Sequence, residues 1–366
     1  MSAPIDNRAL LRRLLAEGSL DLACDPAVTL PSPDPAPVAW SRVEGMLLGL
    51  AVGDALGNSS ESMTAAARRA AHGEVRDYLP SARAGGERVG LPSDDTQLSA
   101  WTLAQLLEDG GLVPARVAAR FRADRIYGIG ATVSAFLAAM ARGEPWHRAG
   151  QRSAGNGALM RIAPVLLPHL RTAGPGLWAD AALAGAITHN DPLSTGSCVA
   201  FVRLLWHCLR AREPPPRGWW VETFASTLRP LEGEEPRYSP RPAGSGRRVT
   251  GWAHSRELVL GALARGLPIA EACERWGSGA FLLETIPSVL YLLERSASDP
   301  EEALVRAVND TWDNDTVAAI VGAAVGALHG SDALPRRWRT GLPGRTRASD
   351  DGELFRLLEA ARVAFG

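Results

Sequence analysis

Apolar residues recur at helical spacing along most of this chain, and the alternating β-branched runs typical of strands are almost absent. Ala100, Leu103 and Leu107 fall on one face of a helical pattern that follows Thr96. Over 317–328, apolar residues recur at i, i+3, i+4 and i+7 while small residues fill the other face, so this helix should be buried all round. The sequence predicts an all-α domain over residues 41–366.

Two segments break the helical pattern. Residues 1–40 combine a short amphipathic stretch, 9–16, with a proline-punctuated stretch, 26–37, which predicts an N-terminal arm and linker outside the main fold. Residues 211–250 contain three consecutive prolines and a Gly/Pro/Arg-rich stretch over 236–248, which predicts a surface insertion.

Charge and composition narrow the functional class. The 366 residues include 39 basic and 40 acidic side chains, a balance that excludes a strongly basic nucleic-acid-binding protein. The four cysteines form no Cys-x-x-Cys pair, which is typical of reduced thiols in a cytoplasmic protein. No apolar stretch approaches the ~20 residues of a membrane span, and no signal-peptide pattern is present. We therefore expect a cytoplasmic protein without a nucleic-acid or membrane partner.

A stripe of glycines runs through residues 45–57. Gly45, Gly49, Gly53 and Gly57 recur at strict i, i+4 spacing on one helix face, although glycine is costly inside a helix. Either another helix packs tightly there or a ligand approaches the backbone. Within the stripe, Asp54 is interpreted as a buried polar contact between helices in preference to a site residue.

Two short carboxylate-rich segments each precede a predicted helix. They are Ser93-Asp94-Asp95-Thr96 and Asp313-Asn314-Asp315-Thr316. The first alone is explained by ordinary N-capping, because Asp, Ser and Thr suit the positive end of a helix. The second leads a buried helix, where uncompensated carboxylates are expensive and a cation would offset their charge.

Together the two segments offer an all-oxygen ligand set. The candidate ligands are Ser93, Asp94, Asp95, Asp313, Asp315 and Thr316. Hydroxyl and carboxylate oxygens suit Mg²⁺ or Mn²⁺ and exclude the thiolate and imidazole chemistry of structural zinc. Four carboxylates are enough to hold two such ions. The spacing is not that of an EF-hand, since the turn glycine and the closing glutamate are missing.

Several ordered motifs resemble those of the ADP-ribosylglycohydrolase family. In chain order they are Gly53-Asp54-Ala55-Leu56-Gly57 with Glu61, Ser93-Asp94-Asp95-Thr96, Gly155-Asn156-Gly157, Thr188-His189 and Asp313-Asn314-Asp315-Thr316. The resemblance spreads over most of residues 43–345. Three positions depart from the family pattern: Ser93 replaces a threonine, Trp312 a glycine and Asn314 a threonine. The bulky Trp312 bears on substrate class more than on metal binding.

The resemblance implies an orthogonal helical bundle with a binuclear Mg²⁺ or Mn²⁺ centre at the base of an ADP-ribose cleft. It places Gly155, Asn156, Gly157 and His189 against the substrate. A backbone turn without β-carbons at two positions can approach a diphosphate, and Gly128 and Gly130 form a second turn of this kind. An ordinary loop turn is the alternative for both, and a histidine such as His189, taken alone, is more often a structural surface or core residue.

The implied activity is metal-dependent removal of ADP-ribose from a modified acceptor, an ADP-ribosylated protein or small molecule, with an arginine-type linkage favoured. Asp94 or Asp95 would accept a proton from water, and Glu61 would either assist proton transfer to the leaving group or close over the metals as a movable gate. The rival class is a non-catalytic ADP-ribose- or partner-binding protein on the same scaffold. An ADP-ribosyltransferase docked on residues 1–40 is a further candidate partner, and we expect a monomer.

Overall fold

The computed structural model describes residues 6–35, 37–241 and 246–366, and these residues fold into helices without a β-sheet. The α-helices are α1 (Asn7–Ala16), α2 (Pro26–Thr29), α3 (Trp40–Asn58), α4 (Ala65–His72), α5 (Asp94–Asp109), α6 (Pro114–Arg120), α7 (Ala131–Ala141), α8 (Trp146–Ala149), α9 (Gly176–Ala186), α10 (Pro192–Cys208), α11 (Trp219–Glu232), α12 (Gly251–Arg265), α13 (Ile269–Trp276), α14 (Leu282–Ser296), α15 (Pro300–Asp310), α16 (Asn314–His329), α17 (Arg336–Thr340) and α18 (Glu353–Phe365). Short 3₁₀ helices span Ala82–Ala84, Leu159–Arg161, Ala163–His169 and Ser331–Ala333. The all-α prediction is confirmed.

Helices α3 and α16 form the centre of the bundle and touch through their backbones. A β-carbon placed on Gly49 would overlap the carbonyl of Gly322, and one placed on Gly322 would overlap the carbonyl of Gly49. The same relation joins Gly45 to Gly326, where a β-carbon on Gly45 would lie 2.5 Å from the Gly326 oxygen. The glycine stripe is therefore explained by tight helix packing.

The contacts between α3 and α16 are antiparallel. Gly45 faces Gly326 near one end of the pair, and Gly57 faces Asp315 near the other. The carboxyl end of α3 consequently lies beside the amino end of α16. This register brings the turn after α3 to the two acidic residues at the start of α16.

Residues 6–30 pack onto the bundle, so the prediction of an arm outside the main fold over residues 1–40 is wrong for this stretch. Leu11 and Leu14 of α1 are 0% and 1% exposed, and α1 packs on α9. Asn7 donates a hydrogen bond of 2.7 Å to Asp180. Further along, the indole N–H of Trp178 donates to the carbonyl of Pro31 over 2.9 Å. The apolar face of α1 has a partner that lies far away in sequence.

The prediction that 211–250 is a surface insertion is also wrong for its central part. Helix α11 packs on α10 and α12, and its Trp220, Phe224 and Leu228 are buried. The three consecutive prolines precede this helix, Pro230 lies in its last turn, and the Gly/Pro/Arg-rich stretch follows it. Within the Gly/Pro/Arg-rich stretch, 242–245 lie outside the described residues. Among the described residues, no helix is long and apolar enough to cross a membrane.

Candidate active site and metal centre

Three helix ends meet at one place: the carboxyl end of α3 and the amino ends of α5 and α16. Asp54, near the end of α3, accepts hydrogen bonds from the backbone N–H groups of Ser93 and Thr96, each over 3.0 Å, and from the Thr96 hydroxyl. It therefore caps α5 from a neighbouring helix, which satisfies donors that would otherwise lack partners. This is the contact between helices expected for Asp54, and it fixes α5 against α3.

The acidic side chains at this junction form two groups that share Asp315. Oxygen atoms of Asp54, Asp95 and Asp315 lie within 4.8 Å of one another, and so do oxygen atoms of Glu61, Asp313 and Asp315. Asp54 thus belongs to the acidic cluster as well as to the helix contact, which the sequence interpretation missed. Of the six ligands proposed from sequence, the groups include Asp95, Asp313 and Asp315.

Burial and mutual repulsion disfavour negative charge on these side chains. Burial first, and then the nearby carboxylate of Asp54, raise the pKa values of Asp94 and Asp95 well above their usual range. Burial, Asp313 and Glu61 do the same for the pKa of Asp315. Burial raises the pKa of Asp313 to about 6, although a hydrogen bond from Asn156 opposes the shift. Bringing a positive charge among them would lower all four pKa values.

No arginine among the described residues forms an ion pair with this cluster. Arg68 is fully buried nearby, but its guanidinium donates to the Ser60 hydroxyl over 3.0 Å and to the Thr311 carbonyl over 2.9 Å. Asp315 acts on Arg68 only at longer range, by raising a pKa that burial lowers to about 10. The protein's own cations therefore leave the acidic cluster without a close partner.

The residues present fit a hard divalent cation. Asp95 is 1% exposed, its Oδ1 atom is buried without a hydrogen-bond partner, and its Oδ2 atom accepts from the hydroxyls of Ser93 over 2.9 Å and Thr316 over 3.4 Å. A buried carboxylate oxygen that has no hydrogen-bond partner and lies among further carboxylates would be stabilised by a bound cation. All donors are oxygens, as Mg²⁺ and Mn²⁺ prefer.

A cavity of about 540 Å³ opens above the cluster. Its floor includes Glu61, Asp94, Asp313, Asp315 and Thr316. Ser93 and Asp95 do not line it and lie behind the floor. The wall contains the residues expected to contact substrate, namely Gly128, Gly130, Gly155, Asn156, Gly157 and His189. The fold thus brings segments separated by up to 255 positions in sequence, Glu61 and Thr316 among them, around one cavity.

The Gly155-Asn156-Gly157 turn joins the wall to the floor. Asn156 donates a hydrogen bond of 2.6 Å to the Asp313 carboxylate and one of 3.1 Å to the Thr285 hydroxyl. A β-carbon on Gly157 would lie 2.9 Å from the His189 ring, and one on Gly155 would lie 3.2 Å from its Nε2 atom. A side chain at Gly157 would therefore force the imidazole to shift, and one at Gly155 would crowd it.

The second glycine turn lies beside Asp94. Gly128 has a φ of +58°, a conformation that side chains rarely adopt, and a β-carbon there would lie 3.6 Å from the Asp94 carboxylate. Gly130 precedes the first residue of α7. Both glycines face the cavity without a bulky side chain.

Sequence reasoning missed several residues on the cavity wall. Arg241 is the one arginine among the described residues that line the cavity. Its guanidinium lies 4.9 Å from the Phe281 ring centre and 3.7 Å from the Glu284 carboxylate. It belongs to the segment interpreted as a surface insertion, so no local signal marked it. Trp312, singled out as a departure from the family pattern, is 52% exposed and lines the cavity beside Asp313.

The chain is similar to known proteins over most of its length. It is 30% identical to an uncharacterized protein of Archaeoglobus fulgidus, with 83% of this chain and 92% of the relative aligned. It is 26% identical to the ADP-ribosyl-[dinitrogen reductase] glycohydrolase of Rhodospirillum rubrum (84% and 92%) and 25% identical to the ADP-ribosylarginine hydrolase Tri1 of Pseudomonas putida (82% and 74%).

A solved structure described as an ADP-ribosylglycohydrolase-related protein complex superimposes with a TM-score of 0.64 at 26% identity, covering 89% of this chain and 99% of that one. The family model for ADP-ribosylglycohydrolase matches residues 35–364. With the all-α fold and the acidic cluster beneath the cavity, these matches show that the chain belongs to the ADP-ribosylglycohydrolase family of enzymes, which remove ADP-ribose from modified acceptors.

Proposed function

We propose that this protein is a metal-dependent hydrolase that removes ADP-ribose from an ADP-ribosylated protein, with the ADP-ribose joined to an arginine side chain. The observation that carries the proposal is the pair of acidic groups sharing Asp315 at the floor of the cavity. A non-catalytic binding protein on the same scaffold would not need them, and every acidic residue of the two motifs is present.

Two ions of Mg²⁺ or Mn²⁺ would be held by this floor. The first ion would be held by Asp54, Asp95 and Asp315, and the second by Asp313 and Asp315, with Glu61 beside it, since each trio brings its oxygens within 4.8 Å. Such ions would supply Lewis-acid chemistry, holding sugar hydroxyls and lowering the pKa of water. Ser93, Asp94 and Thr316 would complete the ligand set expected from the sequence.

Asp94 suits the role of proton acceptor better than Asp95 does. Asp94 is partly exposed and lines the cavity, whereas Asp95 is 1% exposed and lies behind the floor with both hydroxyl donors directed at its Oδ2 atom. A general base must reach the water whose proton it takes. Asp95 would instead serve as a ligand of the first ion.

Glu61 suits proton transfer to the leaving group. It is exposed at the cavity edge, and burial of the remainder of the side chain raises its pKa despite the opposing charge of Arg83. A carboxyl with a raised pKa carries a proton at higher pH and is a better acid catalyst near neutrality. Its position beside Asp313 and Asp315 keeps it within the same group of oxygens.

An arginine acceptor fits the outer part of the cavity. Glu61 supplies a carboxyl group at the cavity edge, the buried Glu284 also lines the cavity, and the partly exposed Trp312 supplies an aromatic face. A guanidinium pairs with carboxylates in a planar, bidentate manner and stacks on aromatic rings. Similarity to the ADP-ribosylarginine hydrolase Tri1 supports the same linkage. Removal of ADP-ribose from arginine undoes the modification made by an arginine-specific ADP-ribosyltransferase. The proposed enzyme therefore opposes such a transferase.

The proposed enzyme acts as a cytoplasmic monomer, as expected from the sequence. Helix α1 packs on α9, so its apolar face is not available to dock on an ADP-ribosyltransferase.

Incubation with a panel of ADP-ribosylated substrates tests the proposal. Peptides carrying ADP-ribose on arginine, on serine or on a carboxylate are supplied with Mg²⁺ or Mn²⁺, and free ADP-ribose is measured by mass spectrometry. We expect release from the arginine conjugate that a chelator abolishes. Release from the serine peptide alone would overturn the arginine linkage, and ion-independent release would overturn the metal requirement.

A further inference from the structure

A buried arginine lies behind the histidine of the cavity wall. Arg161 is 0% exposed, and its Nη2 atom donates to the Ala184 carbonyl over 3.0 Å and to the Thr188 hydroxyl over 2.9 Å. The Thr188 oxygen in turn lies 2.9 Å from Nδ1 of His189. The Phe121 ring covers the guanidinium at 4.9 Å, and its buried Nε and Nη1 atoms have no hydrogen-bond partner among the described residues.

The chemistry of these three side chains fixes the direction of each hydrogen bond. A guanidinium only donates, so the Thr188 oxygen must accept from Arg161. A threonine hydroxyl has a single hydrogen, and the one remaining partner of this hydroxyl among the described residues is Nδ1 of His189. A protonated Nδ1 could donate to the second lone pair of this oxygen, but the buried hydroxyl hydrogen would then lack an acceptor among the described residues. The hydroxyl therefore donates to Nδ1, which is the unprotonated nitrogen of the ring.

We infer that Arg161 and Thr188 are positioning residues that hold His189 as the neutral tautomer protonated at Nε2. The Nε2 atom forms no hydrogen bond with the described residues, and the ring lines the cavity below the Gly155–Gly157 turn. His189 can then donate to an acceptor oxygen of the ligand, a phosphate or hydroxyl oxygen, and cannot act there as a proton acceptor. The ligand's identity as ADP-ribose rests on the proposed function.

The electrostatic surroundings act in the same direction. Burial and then the charge of Arg161 lower the pKa of His189 to about 3, so the ring stays neutral across the physiological range. Arg161 itself keeps its charge, since burial lowers its pKa only to about 10. The buried positive charge thus excludes the imidazolium form, while Thr188 chooses between the two neutral forms.

Nitrogen NMR of protein labelled with ¹⁵N-histidine tests the tautomer without any substrate. The His189 signals are assigned by their loss in His189→Gln. We expect a single neutral form protonated at Nε2 at pH 7. Thr188→Val should lose that preference, and Thr188→Ser, which keeps the hydroxyl, should restore it. An Nδ1-protonated or doubly protonated ring in the parent, or an unchanged spectrum in Thr188→Val, would overturn the inference.

Thr195→Val is a matched control for loss of a buried hydroxyl. Thr195 is 0% exposed, and its hydroxyl donates to the backbone carbonyl of His189 over 3.1 Å and not to the ring. The control should leave the tautomer unchanged even where its melting temperature falls as far as that of Thr188→Val. Equal loss of the tautomer preference in both variants would show that only local packing matters. It would contradict control of the tautomer by the hydrogen bonds from Arg161 to Thr188 and from Thr188 to His189.

Calorimetry with ADP-ribose links the tautomer to binding. Loss of one neutral hydrogen bond should weaken ADP-ribose binding about three- to tenfold in Thr188→Val, with Thr188→Ser and Thr195→Val close to the parent. Parental affinity in Thr188→Val would overturn the donor role. If ADP-ribose fails to bind the parent protein, the proposed function is overturned. The NMR result still decides on its own whether Thr188 sets the tautomer of His189.

Discussion

The indole nitrogen of Trp312 donates a hydrogen bond of 3.3 Å to the backbone carbonyl of Ser62. Trp312 precedes the acidic residues of α16, and Ser62 follows Glu61 in the turn after α3. Ser62 has a φ of +67°, the one positive value recorded for a non-glycine residue in the described chain. Asn314 holds the same turn from below, through bonds of 3.1 Å to the Gly57 carbonyl and 3.0 Å to the Ser60 hydroxyl. Two departures from the family motif therefore both bind the turn that carries Glu61, which favours a held position for Glu61 over a freely moving gate.

Trp312→Phe should separate this contact from the aromatic wall. The variant keeps a ring beside the cavity but loses the N–H donor, so we expect kcat to fall about fivefold, as for one neutral hydrogen bond, and amide exchange in residues 59–63 to accelerate. Trp219→Phe, a tryptophan stacked on His207 away from the cavity, is the control. Parental exchange in the Trp312 variant would show that the bond does not hold the turn.

Asp315→Asn should abolish stabilisation by divalent ions. In the parent, Mg²⁺ or Mn²⁺ at a hundredfold excess over its Kd should add about 2.7 kcal/mol per bound ion to the free energy of unfolding, seen as a higher melting temperature. Without the ion, the variant should be at least as stable as the parent, because burial and then the charges of Asp313 and Glu61 disfavour the native carboxylate. Asp180→Asn, which changes a carboxylate bonded to Asn7 and His169, should keep the ion response. An unchanged ion response in Asp315→Asn would place the metal elsewhere.

Glu61→Gln should mainly lower kcat and leave ADP-ribose affinity nearly intact. The amide keeps the size of the side chain but cannot deliver a proton, and general acid catalysis is worth about 10²–10⁴-fold. Because Glu61 is exposed, the melting temperature without ions should stay within a degree or two of the parent. Glu87→Gln, a second exposed carboxyl, serves as control. A large loss of stability with normal turnover would assign Glu61 a structural role instead.

Glu232 should make stability fall as pH rises towards neutrality. Its carboxylate, 1% exposed, accepts from the backbone N–H groups of Gly251 and Trp252 at the start of α12, and burial raises its pKa from 4.5 to about 7. Between pH 4.5 and 7 the native state holds a proton that the unfolded state has released. The free energy of unfolding should therefore decrease across that window, by at most about 1.4 kcal/mol per pH unit from this group, and level off above it.

Urea unfolding at a series of pH values measures this contribution. Glu232→Gln should remove that part of the slope, whereas Glu87→Gln should retain it. A variant with the parent's slope would show that Glu232 titrates alike in the native and unfolded states.

Leu14→Ala should destabilise the whole protein. Leu14 is 1% exposed, and deleting buried methyl groups from a core leucine costs about 2–5 kcal/mol. Val28→Ala, at a side chain 71% exposed, should change the free energy of unfolding by less than about 0.5 kcal/mol. Denaturant unfolding compares the two. Equal stability of Leu14→Ala and the parent would restore the view of this segment as an arm outside the fold.

Periodicity predicted the helices because apolar residues recur at the helical period on the faces that pack against other helices, as in α16. The acidic motifs were found for a similar reason, since capping residues precede a helix locally. The position of α1 could not be predicted, because an amphipathic face shows that a helix needs a partner without naming it. Arg241 and Glu284 reach the cavity only through long-range packing, which leaves no local pattern. Asp54 was recognised as a contact between helices, but its proximity to Asp315 depends on the register of α3 and α16.

That register has a consequence for how the protein can change over generations. Where Gly49 meets Gly322, main chain rests on main chain, so the separation of the two helices is not set by the volume of any side chain. Leucines and valines elsewhere in the core can be exchanged without shifting the start of α16 away from the end of α3. The relative positions of the carboxylates at that junction therefore depend little on substitutions elsewhere in the core. The glycines beneath them accept almost no replacement.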